Sequence, residues 1–179
     1  KKDVTGPTNT EFLMPLAVGN SWTWEVNDYE DNQSDPETWT NSIIGTMERD
    51  GYTWYHVDDE YLIYDAEYAR NDDQGLWLGF EGGNQFGQVL MFKYPINVGD
   101  TSGEFYSGGI LVESWFTCTE INKTFKQYDN CIVFFDNYDN DDGYTEMVYF
   151  KPGIGMVGGE GFQNGVLTWQ MALKSYNIQ

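Results

Sequence analysis

Hydrophobic and polar residues alternate along most of this chain. In Ser21-Trp22-Thr23-Trp24-Glu25-Val26, the residues Trp22, Trp24 and Val26 fall on one side and Ser21, Thr23 and Glu25 on the other. That period of two marks a half-buried β-strand. The same alternation, bounded by turn residues, predicts about ten strands, over 21–27, 38–49, 52–57, 60–70, 76–80, 88–93, 110–121, 130–137, 144–151 and 166–178. Asp50-Gly51 is a strong hairpin signal, and Asn71-Asp72-Asp73-Gln74-Gly75 is a second one. Residues 152–159 form a glycine-rich corner. In the last segment Leu167, Trp169, Met171 and Leu173 share one face, after which Tyr176 and Ile178 take the other. That change of phase predicts a β-bulge or bend at Lys174-Ser175.

No 3.6-residue stripe runs beyond ten residues. The best helical candidate is a short turn over 10–16 with Thr8, Asn9 or Thr10 as its cap. Many short strands without helices predict an all-β antiparallel barrel, half-barrel or sandwich. The expected organisation is a flexible polar leader, 1–11, followed by one β domain, 12–179, since no linker-like composition divides the rest.

Composition adds a constraint on partners. The 179 residues carry 29 acidic and 9 basic side chains, a net charge of −20. Such a balance repels phosphate backbones and anionic membrane surfaces, so no nucleic-acid partner is expected. Aromatic residues make up 17%, which favours strands and supplies large buried surfaces. No apolar run approaches the roughly 18 residues of a membrane-spanning helix. Membrane contact is therefore expected only through an N-terminal lipid anchor lying outside this chain. Cys118 and Cys131 are compatible either with one disulfide in an oxidising compartment or with two buried thiols.

Four segments then fall into a pattern: Pro15-Leu16-x-Val18-Gly19-Asn20-x-Trp22, Gln74-Gly75-Leu76-Trp77, Tyr94-Pro95-x-x-Val98-Gly99-Asp100 and 149–157 (Tyr-Phe-Lys-Pro-Gly-Ile-Gly-Met-Val). In order and spacing they resemble a broad set of uncharacterised secreted proteins and candidate lipoproteins of bacteria, frequent among Bacteroidetes. More distantly they resemble the half-barrel lipoprotein-carrier proteins of the periplasm. The resemblance implies export to the periplasm, the outer membrane or the cell surface. It also implies a strongly curved antiparallel sheet, a half-barrel or incomplete barrel, with an apolar or lipid-like ligand on its concave aromatic face. No catalytic residues accompany the pattern.

Candidate chemistry is sparse. The seven tryptophans are mostly expected in the core, with Trp39, Trp77 and Trp54 as the ligand-binding candidates, the first two because they break the local alternation. The acidic loop with Asp136, Asp139, Asp141 and Asp142 offers oxygen ligands for Ca²⁺, although it lacks the EF-hand spacing. No other cofactor is expected. His56, the one histidine, lies beside Asp58 and Asp59 in a strand and has no matching nucleophile motif. Gly153-x-Gly155-x-x-Gly158 matches a dinucleotide fingerprint in spelling, but no helix or βαβ unit follows it. A non-enzymatic binding role is thus expected. The alternatives are a glycan- or calcium-binding accessory module and a carboxylate-based hydrolase.

Overall fold

The computed structural model describes residues 12–29, 35–58, 66–82, 85–107, 110–136 and 143–179. Twelve strands make one antiparallel sheet: β1 Ser21–Asp28, β2 Glu37–Arg49, β3 Tyr52–Val57, β4 Tyr68–Asn71, β5 Gly75–Gly82, β6 Gln85–Lys93, β7 Thr101–Ser107, β8 Ile110–Phe125, β9 Tyr128–Asp136, β10 Tyr144–Lys151, β11 Gly155–Gln163 and β12 Val166–Asn177. Their spatial order is β6-β5-β4-β3-β2-β1-β12-β11-β10-β9-β8-β7. Each strand therefore pairs with its sequence neighbours, except that β1 pairs with β12 and no ladder joins β6 to β7. The two edges, β6 and β7, nevertheless lie against each other, so the sheet curls into a nearly closed barrel. This is the expected all-β class, with closure carried further than a half-barrel.

The two seams of the barrel close differently. At one, β1 and β12 share a full ladder from Ser21 opposite Asn177 to Asp28 opposite Trp169. Its register shifts between Thr23 and Trp24, leaving Lys174 as the extra residue, where the phase change of the sequence placed a bulge. At the other, a buried hydroxyl substitutes for backbone pairing: Lys93 N–H donates to Ser102 Oγ at 2.7 Å, and Ser102 Oγ donates to the Met91 carbonyl at 2.7 Å. Next to it Gly103 takes φ +70°, and a side chain there would crowd Trp115 and Met91.

The echo between 15–20 and 95–100 is a structural repeat. Gly19 and Gly99 both take φ +93°, a conformation that glycine adopts without penalty. Gly19 N–H donates to Ile43 O at 2.8 Å and Ile43 N–H to Asn20 O at 2.9 Å. Gly99 N–H donates to Cys118 O at 2.8 Å and Cys118 N–H to Asp100 O at 2.9 Å. Each loop thus clamps the second strand of a six-stranded half, β1–β6 or β7–β12.

The core fills the barrel. Trp22, Trp24, Phe92, Phe116, Phe134 and Phe150 are all fully buried, and Phe92 lies 4.6 to 5.0 Å, centroid to centroid, from Phe116, Phe134 and Phe150. Leu13 and Met14 close one end, fixed by Gly153 N–H to Phe12 O and by Asn71 Nδ2 to Met14 O.

Several expectations change. The strands β7 and β11 were not anticipated, the latter because its glycines read as turn material. Yet Gly158, Gly159 and Gly161 of β11 lie beneath the rings of Phe125 and Trp169, where a Cβ would overlap them. Phe12–Met14 is bent rather than helical, while the expected caps lie outside the described residues. Residues 60–65 of the expected strand 60–70 also lie outside them, Ala66 and Glu67 are not in a strand, and β4 begins at Tyr68. Cys118 and Cys131 are separate buried thiols, opposite Phe134 and Lys123 respectively.

Candidate functional site

The ladders fix which side chains share the inner face. Trp24 faces Trp39 and Leu173, Val26 faces Glu37 and Met171, and Asp28 faces Trp169. Trp169 and Met171 face Gly161 and Gly159, which face Glu146 and Val148. Moving along the barrel from Met14, this inner face passes from fully buried apolar residues to half-buried aromatic and acidic ones. The far end is a mouth lined by Glu37, Trp39, Asp136, Tyr144, Glu146 and Trp169.

Trp169 is the organising side chain of the mouth. Gly159 and Gly161 leave a flat strip of backbone on which its indole lies. Its Nε1–H donates to the Tyr144 hydroxyl at 2.7 Å, and that hydroxyl donates to Glu146 Oε2 at 3.3 Å. Burial, and then the charges of Glu146 and Asp136, push the Tyr144 hydroxyl up to about 12, and the Trp169 hydrogen bond opposes them. Tyr144 is therefore a neutral donor at physiological pH. Across the mouth, Trp39 Nε1–H donates to Glu37 Oε2 at 3.1 Å. The chain leaves and re-enters the sheet here at Asp28 and Glu37, and again at Asp136 and Tyr144.

The ligand-binding candidates divide between two places. Trp39 stands in the mouth, half-buried. Trp54 and Trp77 meet on the outer face of β3–β5, around Arg70. That guanidinium is 3% exposed and lies 4.0 Å from the Tyr52 ring, 4.3 Å from Trp77 and 5.1 Å from Trp54. Its Nη1 donates to Asp72 Oδ2 at 2.6 Å, whereas Arg70 Nε and Trp54 Nε1 are buried with no hydrogen-bond partner among the described residues. Burial raises the Asp72 carboxyl, but the Arg70 bond, Gln74 N–H and the Arg70 charge outweigh it and hold the group below the usual carboxylate range. The Trp77 indole N–H faces the same carboxyl without closing a hydrogen bond of ordinary geometry. Stacking of a guanidinium on several rings is favourable when desolvated, so this cluster staples the outer sheet and is already filled by Arg70.

Of the calcium candidates, Asp136 lies in the mouth, and Asp139, Asp141 and Asp142 lie outside the described residues. Among the described residues no three His, Cys, Asp or Glu side chains converge to hold a metal ion. His56 stacks on Tyr68 at 5.0 Å on the outer face, a packing role. The sequence did not single out Tyr144, Glu146 or Trp169 as a site. Alternation placed Trp169 on the correct face, but its height in the barrel follows from strand register, which the sequence does not display.

The fold and the mouth together define an all-antiparallel, nearly closed barrel with one acidic, aromatic end. No family model matches the chain, and no curated protein matches it in sequence. Two solved structures share its fold. One, from Parabacteroides distasonis, carries a provisional lipoprotein name, is 10% identical and superposes with a TM-score of 0.53. The other, from Bacteroides fragilis, is described as an exported protein with a YmcC-like fold, is 14% identical and gives a TM-score of 0.50. Each comparison covers 93% of this chain and 99% of the other.

Proposed function

We propose that this chain is an exported, non-enzymatic binding protein of the cell envelope that holds a glycan in the mouth of its barrel. Export is supported by the sequence motifs and by the names carried by the two proteins of like fold. Ligand class rests on the chemistry of the lining. A carboxylate accepts several hydrogen bonds at once, so Asp28, Glu37, Asp136 and Glu146 can take donors from a ligand in addition to the partners they already have. Trp39 and Trp169 supply flat apolar faces beside them. A sugar ring, with an apolar face and a rim of hydroxyls or amines, satisfies both. A hydrocarbon chain would desolvate the carboxylates without replacing their hydrogen bonds, a costly exchange, which weighs against the lipid-like ligand suggested by resemblance.

The observation that carries this reading is Trp169, laid on the Gly159–Gly161 strip and held by Tyr144. The test is titration calorimetry and tryptophan fluorescence with three probes: the hexasaccharides of N-acetylglucosamine and of glucosamine, and sodium decanoate. Binding of either sugar, lost in Trp169→Ala and in Trp39→Ala, is the expected result. Binding of decanoate alone, or sugar binding indifferent to both substitutions, would overturn it. Release of shorter sugars during incubation would assign the mouth to a hydrolase instead.

A further inference from the structure

We infer that the sugar held in the mouth is a cationic one, an oligosaccharide with free amino groups, an assignment that rests on the glycan reading and narrows it. The donors of the mouth are turned onto its own wall. The Trp169 indole donates to the Tyr144 hydroxyl at 2.7 Å, that hydroxyl donates to Glu146 at 3.3 Å, and the Trp39 indole donates to Glu37 at 3.1 Å. An indole has one N–H and a phenol one O–H, so none of the three has a further proton to offer a ligand. Gln163, opposite Tyr144 in the β10–β11 ladder, is itself engaged. What these side chains present to a ligand is acceptors: carboxylate oxygens and the remaining lone pair of the Tyr144 hydroxyl.

Charge selects in the same direction. Met147 stands opposite Phe135 in the β9–β10 ladder, so one residue nearer the mouth Glu146 and Asp136 lie abreast on the inner face. Like charges abreast on neighbouring strands are destabilising. Burial first, and then the charges of Glu146 and Asp136, raise the Tyr144 hydroxyl, so both carboxylates are felt beside it. Basic side chains of the barrel are engaged elsewhere, Arg49 with Glu81, Arg70 with Asp72, Lys151 with Asp129 and Lys174 with Glu25. A protonated amine between Asp136 and Glu146 brings three donors and the opposite charge. The ring faces of Trp39 and Trp169 attract the same cation. An acetamido group keeps one N–H, carries no charge and adds a carbonyl acceptor that meets no donor among these side chains. Its sugar still stacks on the indoles, so it binds, but more weakly.

The test is titration calorimetry of the full chain at mildly acidic pH, where the sugar amines are charged. The probes are the hexasaccharides of glucosamine, N-acetylglucosamine and β-1,4-linked glucose. The glucosamine hexasaccharide should bind at least about tenfold more tightly than either neutral one, the worth of one charge-assisted hydrogen bond. Glu146→Gln and Asp136→Asn should each bring that ratio down toward one. Glu48→Gln combined with Glu120→Gln, which removes two exposed carboxylates outside the mouth, should leave it unchanged. Equal or tighter binding of the N-acetylglucosamine hexasaccharide would overturn the cationic assignment and leave the glycan reading in place. So would a ratio indifferent to both mouth substitutions, or one that falls as far in the Glu48–Glu120 variant. The latter would assign the preference to the general attraction of a chain of charge −20 for cations. Absence of binding by all three sugars would remove the glycan reading itself, and the cationic assignment with it. Unchanged circular dichroism spectra establish that each variant is folded.

Discussion

The two ends of the barrel are built from the same strands and the same face of each strand, yet they differ in kind. On β10 the inner face reads Tyr144, Glu146, Val148, Phe150, and exposure falls to 2% at Val148 and 0% at Phe150. On β12 the equivalent series runs from half-buried Trp169 to buried Met171 and Leu173, and on β1 from Asp28 and Val26 to Trp24 and Trp22. Alternation alone therefore marks a side of the sheet and not a role. Position along the barrel axis decides whether an inward ring packs the interior or lines an opening.

Substitutions at the two ends of β10 put that contrast to work. Phe150→Ala removes a fully buried ring and should cost about 3–5 kcal/mol in urea unfolding. Tyr144→Phe, on the same face of the same strand, removes one half-exposed hydrogen-bond partner and should cost about 1 kcal/mol or less. Equal costs would mean that both ends are packed alike. Gly161→Ala places a methyl group where the Trp169 indole lies. The ring must move, at a cost of about 1–3 kcal/mol, and the tryptophan emission should shift to the red as the Tyr144 bond is lost.

The seam near the filled end offers a subtler probe. Ser102→Ala removes the hydroxyl that bridges Met91 and Lys93 and should cost about 1–2 kcal/mol. Amide exchange should quicken at Lys93 and its neighbours in β6, while the β1–β12 ladder keeps its protection. The smallest effect is the titration of the mouth. Unfolded tyrosine ionises near 10 and Tyr144 near 12, so between those values the unfolded chain releases its proton first. Stability should then fall as pH rises from 10 to 12 and be insensitive to this group below 10. Tyr144→Phe should flatten that part of the profile, and an unchanged slope would remove Tyr144 from the account.

Much of this fold is visible in residue order. Strand β3 falls where alternation placed it, the Asp50-Gly51 turn takes the positive φ angles of its kind at 55° and 81°, and the extra residue at Lys174 follows from the change of phase in β12. The strand β11 escaped because four glycines in nine residues argue for a loop. Only the neighbouring rings of Phe125 and Trp169 explain why strand positions there must be bare. Trp54 and Trp77 were separated by more than twenty residues, and nothing local indicated that Arg70 would bring them together on the outer face. Trp39 and Asp136 were singled out for local reasons and share the mouth for a global one, the stacking of registers across β1, β12, β11, β10 and β9.

Fluorine NMR of the protein labelled with 5-fluorotryptophan tests the mouth most directly, since each of the seven tryptophans reports separately. On addition of the N-acetylglucosamine hexasaccharide, the Trp169 and Trp39 resonances should shift while those of buried Trp22 and Trp24 stay in place. Movement confined to Trp54 and Trp77 would put the ligand on the outer face at Arg70, and contradict a binding site in the mouth.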